Sequence, residues 1–197
     1  MCAREWGEIM EHHETINQLM TEQGTRVLHL AYSYVRNRQT AEDLTQEIFI
    51  KCYEKLDTFK GDSSLHTWLY RIASNHCKDY LRSWHHRKIH VSGYLSSLLT
   101  GSQASPEKQI MDQAENQELA DAMFLLPMKY REVIFLFYYQ ECSLKEISEI
   151  CNLNINTVKS RLTKAKNLLK DQLIERGENY GEPNQESKGK SLKGRIG

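Results

Sequence analysis

Proline and glycine are scarce in this sequence, and their scarcity excludes several fold classes. The 197 residues include only 3 prolines and 10 glycines, and no proline precedes Pro106. Turn-rich β-sandwiches and barrels need such residues at frequent intervals, so we expect an all-α fold. The hydrophobic fraction of 40% is high enough to build a core, which excludes wholesale disorder.

Long apolar segments are also missing. The longest apolar and aromatic run covers only residues 133–139, whereas a membrane-spanning helix needs about 20 residues. No apolar signal-peptide core follows the first charged residues. We therefore expect a cytoplasmic protein with no direct membrane insertion.

Motifs for metal binding and catalysis are absent as well. The five cysteines form no CxxC pair, and we expect them to be reduced thiols that serve as small apolar side chains. His86 and His90 lie four residues apart, but no HExxH motif or zinc-site spacing occurs. There is also no P-loop, GxSxG or nucleophile-and-base set. The sequence predicts no catalytic residue, metal or cofactor, and thus a protein that is not an enzyme.

Charge is balanced over the whole chain but unevenly distributed along it. Residues 1–92 carry 12 basic and 12 acidic groups, and residues 93–105 carry none. Residues 115–150 hold seven acids against three bases, whereas 157–170 hold five bases and no acid. The uncharged stretch resembles a tether, and 177–197 has the composition of a disordered tail. We predict two small helical domains joined by a flexible linker.

Apolar periodicity predicts a bundle of three or four helices in the first block. One helix is indicated by apolar residues at helical spacing: Val27, Leu28, Ala31, Tyr32 and Val35. Thr40 is the predicted N-cap of the next helix, whose apolar stripe comprises Leu44, Ile48, Phe49, Cys52, Tyr53 and Leu56. Ser63 or Ser64 is predicted to cap a third helix, with Leu65, Trp68, Leu69, Ile72 and Ala73 inward.

The second block contains four helical patterns. Ser105-Pro106-Glu107 is a predicted helix start, and Pro127 ends an apolar face made of Leu119, Ala122, Met123 and Leu126. A buried helix is predicted from Val133, Ile134, Leu136 and Phe137. Ser143 is the predicted cap of a short helix. The apolar residues of this helix that are expected to face the core are Leu144, Ile147, Ile150 and Cys151. A turn at 152–154 precedes a last helix with Val158, Leu162, Ala165 and Leu169 on one face.

The last two helices have the layout of a helix-turn-helix. The second of them is basic and begins with Asn156, Thr157, Lys159 and Ser160, which suit contacts to phosphates and base edges in a major groove. The alternative is a solvated basic helix on an ordinary bundle.

Two further patterns in the first block leave their meaning open. The helix after Thr40 carries acids opposite its apolar stripe, which form either a solvated face or a docking surface for a basic partner. Between residues 59 and 82, aromatic and basic side chains are interleaved, as in proteins that bind single-stranded DNA. Trp68 alone is more typical of a core.

Together these segments resemble a sigma factor of the sigma-70 family, of the extracytoplasmic-function (ECF, group 4) kind. The resemblance is carried by AEDLTQE in 41–47, by the GDSS-to-TWLYRIA run in 61–73 and by the helix-turn-helix, in the family's order. It covers about 25–176 and predicts these divisions: a variable segment 1–24, a region 2-like domain 25–92, a linker 93–112, a region 4-like domain 113–176 and a tail 177–197. Residues 1–9 match nothing in the pattern, and Met10 is an alternative start.

The resemblance implies three sets of functional residues. The set that binds core polymerase comprises Asp43, Gln46, Glu47, Ile50 and Glu54. The set that melts and binds the −10 element comprises Phe59, Lys60, Asp62, Ser63, His66, Trp68, Arg71, Asn75, Lys78 and Arg82. The set that binds the −35 element comprises Leu144, Lys145, Glu146, Asn156, Thr157, Lys159, Ser160, Arg161 and Lys164. Relatives often carry arginine where this chain has Lys159, Lys164 and Lys166, so their promoter preference does not transfer.

The resemblance further implies the partners of a transcription initiation factor in a stress response. These are core RNA polymerase, through its β′ coiled coil and β flap, promoter DNA, and an anti-sigma factor that is often membrane-anchored. Two rival interpretations remain: an autonomous helix-turn-helix regulator that never joins polymerase, and a histidine-dependent metal protein.

Overall fold

The computed structural model describes the backbone of residues 3–92 and 114–175, and the side chains of 12–83 and 119–174. The first stretch contains α1 (Ala3–Val35), α2 (Arg38–Lys55), a 3₁₀ turn (Leu56–Thr58) and α3 (Leu65–Ser92). The second contains α4 (Ala114–Leu125), α5 (Met128–Tyr138), α6 (Leu144–Cys151) and α7 (Ile155–Glu175). These stretches contain no strand, and the all-α prediction is confirmed.

The chain forms two compact units. Helices α1, α2 and α3 pack on one another in the first, which we name the N-terminal unit. Helices α4, α5 and α7 pack together in the second, the C-terminal unit, and the short α6 lies between α5 and α7 in the chain. None of the described helices is long and apolar enough to cross a membrane.

Several predictions fall outside the described residues. They concern the linker over 93–112, the helix start at Ser105-Pro106-Glu107 and the tail 177–197. The side chains of His86 and His90 are likewise outside the described part.

The core of the N-terminal unit follows the predicted apolar stripes only in part. On α1, Leu30 and Tyr34 are buried although the prediction left them out, whereas the predicted Leu28, Tyr32 and Val35 are half-buried. Each helix supplies fully buried residues: Val27, Leu30 and Ala31 from α1, Leu44, Ile48 and Cys52 from α2, and Leu69, Ala73 and Cys77 from α3. Ile16 and Leu19 are also buried, at 6% exposed. Part of α1 that precedes residue 25 therefore belongs to this core.

The predicted N-cap of α2 is wrong by three residues. Asn37, with extended backbone angles, is the N-cap, and its Oδ1 accepts a hydrogen bond of 2.8 Å from the Thr40 backbone N–H. Arg36 adopts a left-handed φ of 55°, which ends α1 and reverses the chain. Asparagine is as good a cap as threonine, so the helix gains its first turn from this earlier residue.

Helix α5 forms the centre of the C-terminal unit. It is buried on nearly all sides from Arg131 to Leu136. Val133, Ile134 and Leu136 are buried as predicted, but Phe137 is only half-buried and Phe135 is 4% exposed. The prediction for Phe137 was wrong because a helix packed on several sides follows no single stripe.

Arg131 ties α5 to the end of α4. Its side chain is buried, and its Nη2 donates to the carbonyl oxygens of Phe124 and Leu126, both at 2.9 Å. The last carbonyls of a helix lack partners within the helix and carry partial negative charge. The guanidinium therefore serves as a C-terminal cap for α4.

Candidate nucleic-acid interface

The exposed face of α2 carries a compact set of polar residues around one apolar side chain. Asp43, Gln46, Glu47, Ile50 and Glu54 are all exposed, and their spacing places them on one side of the helix, opposite the buried stripe. Ile50 is 58% exposed. We name these five residues the α2 surface.

The segment between α2 and α3 exposes two of its four predicted site residues, and the other two are half-buried. The Phe59 ring packs on Trp68 with a centroid distance of 5.5 Å, and Trp68 is only 4% exposed. Gly61 adopts a φ of +75°, which suits glycine because it lacks a Cβ. Lys60 and Asp62 are exposed, whereas Ser63 is half-buried. Trp68 thus occupies a core position, where its ring face is unavailable to a base.

Ser64 begins α3 as one of the two predicted caps. Its Oγ accepts a hydrogen bond of 3.0 Å from the Thr67 backbone N–H. Two residues further, the His66 ring meets the Tyr70 ring edge-on with a centroid distance of 4.2 Å. His66 is half-buried, and its contact with Tyr70 covers part of the ring.

A basic stripe runs along the outside of α3. Arg71, Asn75, Lys78 and Arg82 follow at intervals of four, three and four residues, which places them in one row. Lys78 is half-buried and the other three are exposed. Arg82 also donates to Asp79 at 3.0 Å. The N-terminal unit therefore carries acids on α2 and bases on α3.

The helix-turn-helix is held by local hydrogen bonds. The backbone N–H and the hydroxyl of Ser143 both donate to Glu146 Oε2, at 2.8 and 2.7 Å, and the Glu146 N–H donates back to Ser143 Oγ at 3.3 Å. This capping box starts α6 as predicted. It engages the Glu146 carboxylate, a predicted DNA contact, in the cap.

The turn between α6 and α7 depends on two further polar residues. Ser148 Oγ donates to the Leu153 carbonyl at 2.5 Å, and the Leu153 N–H donates to the Ser148 carbonyl at 2.9 Å. Asn154 Oδ1 accepts from the Asn156 N–H at 2.9 Å. Asn152 adopts a left-handed φ of 52°, a conformation that asparagine tolerates. Together these contacts set the angle at which α7 leaves the turn.

Helix α7 presents most of the predicted −35 residues on its exposed side. Asn156, Lys159, Ser160 and Lys164 are exposed, while Thr157 and Arg161 are half-buried. Val158, Leu162 and Ala165 are buried on the opposite side. On α6, Lys145 is exposed and Leu144 is half-buried.

Contacts of three histidines in the described part were missed by sequence reasoning. His76 Nε2 lies 2.6 Å from Glu47 Oε2, which joins α3 to α2. The His12 and His13 rings lie against Tyr53, and His12 Nε2 is 3.2 Å from Asp57 Oδ1. Periodicity gives no signal for contacts between distant segments. The Asn154 cap, by contrast, was detectable from the preference of asparagine for helix starts.

Lys166 supports α7 instead of projecting freely. Its ammonium lies 5.4 Å from the Tyr138 ring centroid and 5.8 Å from that of Phe137. Such cation–π contacts attach the helix to α5.

Cysteines and histidines in the described part show no metal cluster. Cys52, Cys77, Cys142 and Cys151 form no disulfide with one another, and burial raises the pKa of the Cys52 thiol to about 12. That thiol therefore stays protonated at neutral pH. Among the described residues, no three His, Cys, Asp or Glu side chains lie close enough to share a metal ion.

Comparison with protein families identifies both units. A family model described as Sigma-70 region 2 matches residues 19–87, and one described as Sigma-70, region 4 matches residues 116–169. The two models coincide with most of the N-terminal unit and with most of the described C-terminal unit.

Similarity to individual sigma factors shows to which group of the sigma-70 family the chain belongs. The chain is 34% identical over 155 residues to the ECF RNA polymerase sigma factor SigW of Bacillus subtilis, an alignment that spans 75% of this chain and 83% of the relative. It is 30% identical over 167 residues to the ECF RNA polymerase sigma-E factor of Escherichia coli K12, which spans 81% and 87%. The chain therefore belongs to the extracytoplasmic-function RNA polymerase sigma factors of the sigma-70 family. Membership of this family does not favour the autonomous regulator.

A solved structure shares the fold. The sigma factor RpoE of Bartonella quintana, crystallised with the anti-sigma factor NepR, is 25% identical and aligns with a TM-score of 0.67. The alignment spans 82% of this chain and 98% of that one.

Proposed function

We propose that the α2 surface binds the β′ coiled coil of core RNA polymerase. The observation that carries this proposal is the exposed Ile50 side chain surrounded by Asp43, Gln46, Glu47 and Glu54 on one helix face. An apolar residue left in solvent among charges suits a protein interface better than a merely solvated face. The acids provide complementarity to a basic partner, which steers association and fixes register.

Promoter recognition is divided between the units in this proposal. The α3 stripe, together with Lys60 and Asp62, contacts the −10 element, and an extruded base is held near the loop 60–64. Unstacking a base costs a few kcal/mol, which capture of that base offsets. The exposed side of α7 binds the −35 duplex, and the C-terminal unit meets the β flap. In this proposal Trp68 and Glu146 contribute indirectly: Trp68 packs in the core of the N-terminal unit, and Glu146 caps the start of α6.

The proposed partners include an anti-sigma factor. Support comes from the Bartonella quintana relative, whose structure contains the anti-sigma factor NepR. The proposed place of action is the cytoplasm, where core polymerase transcribes.

The decisive experiment is transcription in vitro by core polymerase on fragmented genomic DNA at stated salt. We expect discrete start sites only when the protein is added, and none with the double charge reversal Asp43→Lys, Glu47→Lys. Glu22→Lys, an exposed acid on α1, is the matched control and retains both core binding and activity. Unchanged core affinity of the double variant, with an intact circular dichroism spectrum, contradicts the proposal.

The −35 assignment has its own test on a promoter identified in that experiment. Lys159→Ala with Lys164→Ala weakens contacts to duplex DNA and reduces initiation from the intact promoter. An equal loss on a template with a scrambled −35 element contradicts a positional role for these lysines.

A further inference from the structure

We propose that His76 is a positioning residue that holds the Glu47 carboxylate in the orientation used to bind core polymerase. This inference rests on the proposed role of the α2 surface. It adds a residue from another helix, α3, to the function of that surface.

The contact between the two side chains is short and specific. His76 Nε2 lies 2.6 Å from Glu47 Oε2, although the residues are 29 positions apart in the chain. A hydrogen bond in which a carboxylate accepts is charge-assisted and stronger than a bond between neutral groups. Because a carboxylate oxygen accepts, the contact requires a hydrogen on Nε2, so the identity of the ring nitrogen is part of the geometry.

The exposure of the two partners shows which one positions the other. The His76 side chain is only 15% exposed, whereas that of Glu47 is 57% exposed. Packing between α2 and α3 therefore fixes the ring, while the glutamate extends into solvent. A free glutamate on a helix surface samples several rotamers and loses that freedom when it binds a partner. A fixed donor removes part of this cost before binding, which is preorganisation.

The position of His76 in α3 gives the contact a second consequence. His76 follows Asn75 directly and precedes Lys78 by two residues, and both neighbours belong to the basic stripe of α3. One helix thus carries both the proposed DNA-facing residues and the group that orients the proposed polymerase-facing carboxylate. A shift of α3 changes the setting of Glu47 through this hydrogen bond.

The test compares three substitutions of His76 by the affinity of the full chain for core polymerase. His76→Ala removes the donor, and we expect core binding to weaken about five- to tenfold, the size expected when one rotamer-rich side chain must be ordered on binding. His76→Gln places an amide nitrogen near the former Nε2 position and restores most of the affinity. His76→Asn places its amide too close to the backbone to reach Glu47, and it behaves like alanine. Gln18→Ala, which removes an exposed hydrogen bond to Glu22 on α1, leaves affinity unchanged.

A double-mutant cycle separates this role from a general effect on the fold. In a Glu47→Ala background, His76→Ala should cause no further loss of core affinity, because the carboxylate it positions is gone. All measurements are made well below the thermal transition of every variant. Equal affinity of wild type and His76→Ala, tighter binding by His76→Ala, or failure of His76→Gln to restore binding overturns the inference.

Failure of the underlying proposal has a different signature. If Glu47→Ala and the Asp43, Glu47 reversal both leave core affinity unchanged, the α2 surface does not bind core, and the role of His76 is overturned with it. If Glu47→Ala weakens binding but His76→Ala does not, the positioning role alone is overturned.

Discussion

The two units of this chain are stabilised by different means. The N-terminal unit consists of helices of 33, 18 and 28 residues, whereas α4, α5, α6 and α7 have 12, 11, 8 and 21. Long helices bury continuous apolar stripes against one another. Helices of about ten residues are marginal by themselves, and the C-terminal unit supplements its core with caps and side-chain bonds to the backbone.

This difference matters for function because it determines what holds each surface in place. The α2 surface and the α3 stripe lie on the outside of well-packed helices, so the core orients them. The exposed side of α7 is oriented by its buried residues Val158, Leu162 and Ala165 and, in addition, by local contacts at its start: the Ser148–Leu153 bonds and the Asn154 cap. Substitutions of buried apolar residues should therefore reduce the stability of the N-terminal unit most. Substitutions of capping polar residues should reduce the stability of the C-terminal unit most.

The largest expected effect is on the apolar core of the N-terminal unit. Leu30 is fully buried on α1, and Leu30→Ala should destabilise this unit by about 3 kcal/mol through lost burial and a cavity. Hydrogen exchange of amides in α1–α3 measures the loss. Met20→Ala, a partly exposed position on the same helix, is the control. Equal loss of protection in α5 and α7 would mean that the units unfold as one, which breaks the comparison.

An intermediate effect is expected at the polar cap of the C-terminal unit. Arg131→Met keeps most of the side-chain volume but leaves the carbonyls of Phe124 and Leu126 without their donor. We expect a loss of about 2 kcal/mol, typical of buried groups that lose a charged partner. Exchange of amides in α4 and α5 is the readout, with Lys129→Met, exposed on the same helix, as control. If Arg131→Met costs no more than that control, caps do not stabilise this unit.

The smallest expected effect is a dependence of stability on pH. It should distinguish the N-terminal unit from the C-terminal unit, because all eight histidines lie within 1–92. Burial lowers the pKa of His29 below its ordinary 6.5. The unfolded chain therefore binds a proton more readily than the folded one, so stability is full above pH 6.5 and falls as the pH drops below it. Urea unfolding from pH 7 to pH 5, followed in the N-terminal unit, should show a shallower decline for His29→Gln than for wild type. Parallel declines contradict a role for His29.

Much of the fold was predictable because amphipathic periodicity reports burial directly. Leu44, Ile48 and Cys52 are buried as their spacing indicated, and Ser143 caps α6 as its sequence context indicated. The errors at Thr40 and Phe137 have physical causes: Asn37 competes as a cap one turn earlier, and α5 is buried on several sides. The three sets of site residues came from resemblance, and their roles remain predictions. The structure shows Trp68 in the core and the Glu146 carboxylate in a cap.

The sequence by itself determined the helical class, the approximate extent of most described helices and the family, since these depend on local propensity, periodicity and motif order. Tertiary structure alone decided which side chains meet across helices. The His76–Glu47 hydrogen bond, the Arg131 cap on α4 and the Lys166 contacts with α5 join residues whose separation in the chain carries no periodic signal. Such contacts follow from how packed helices are rotated and offset, which is set by the fit of their cores.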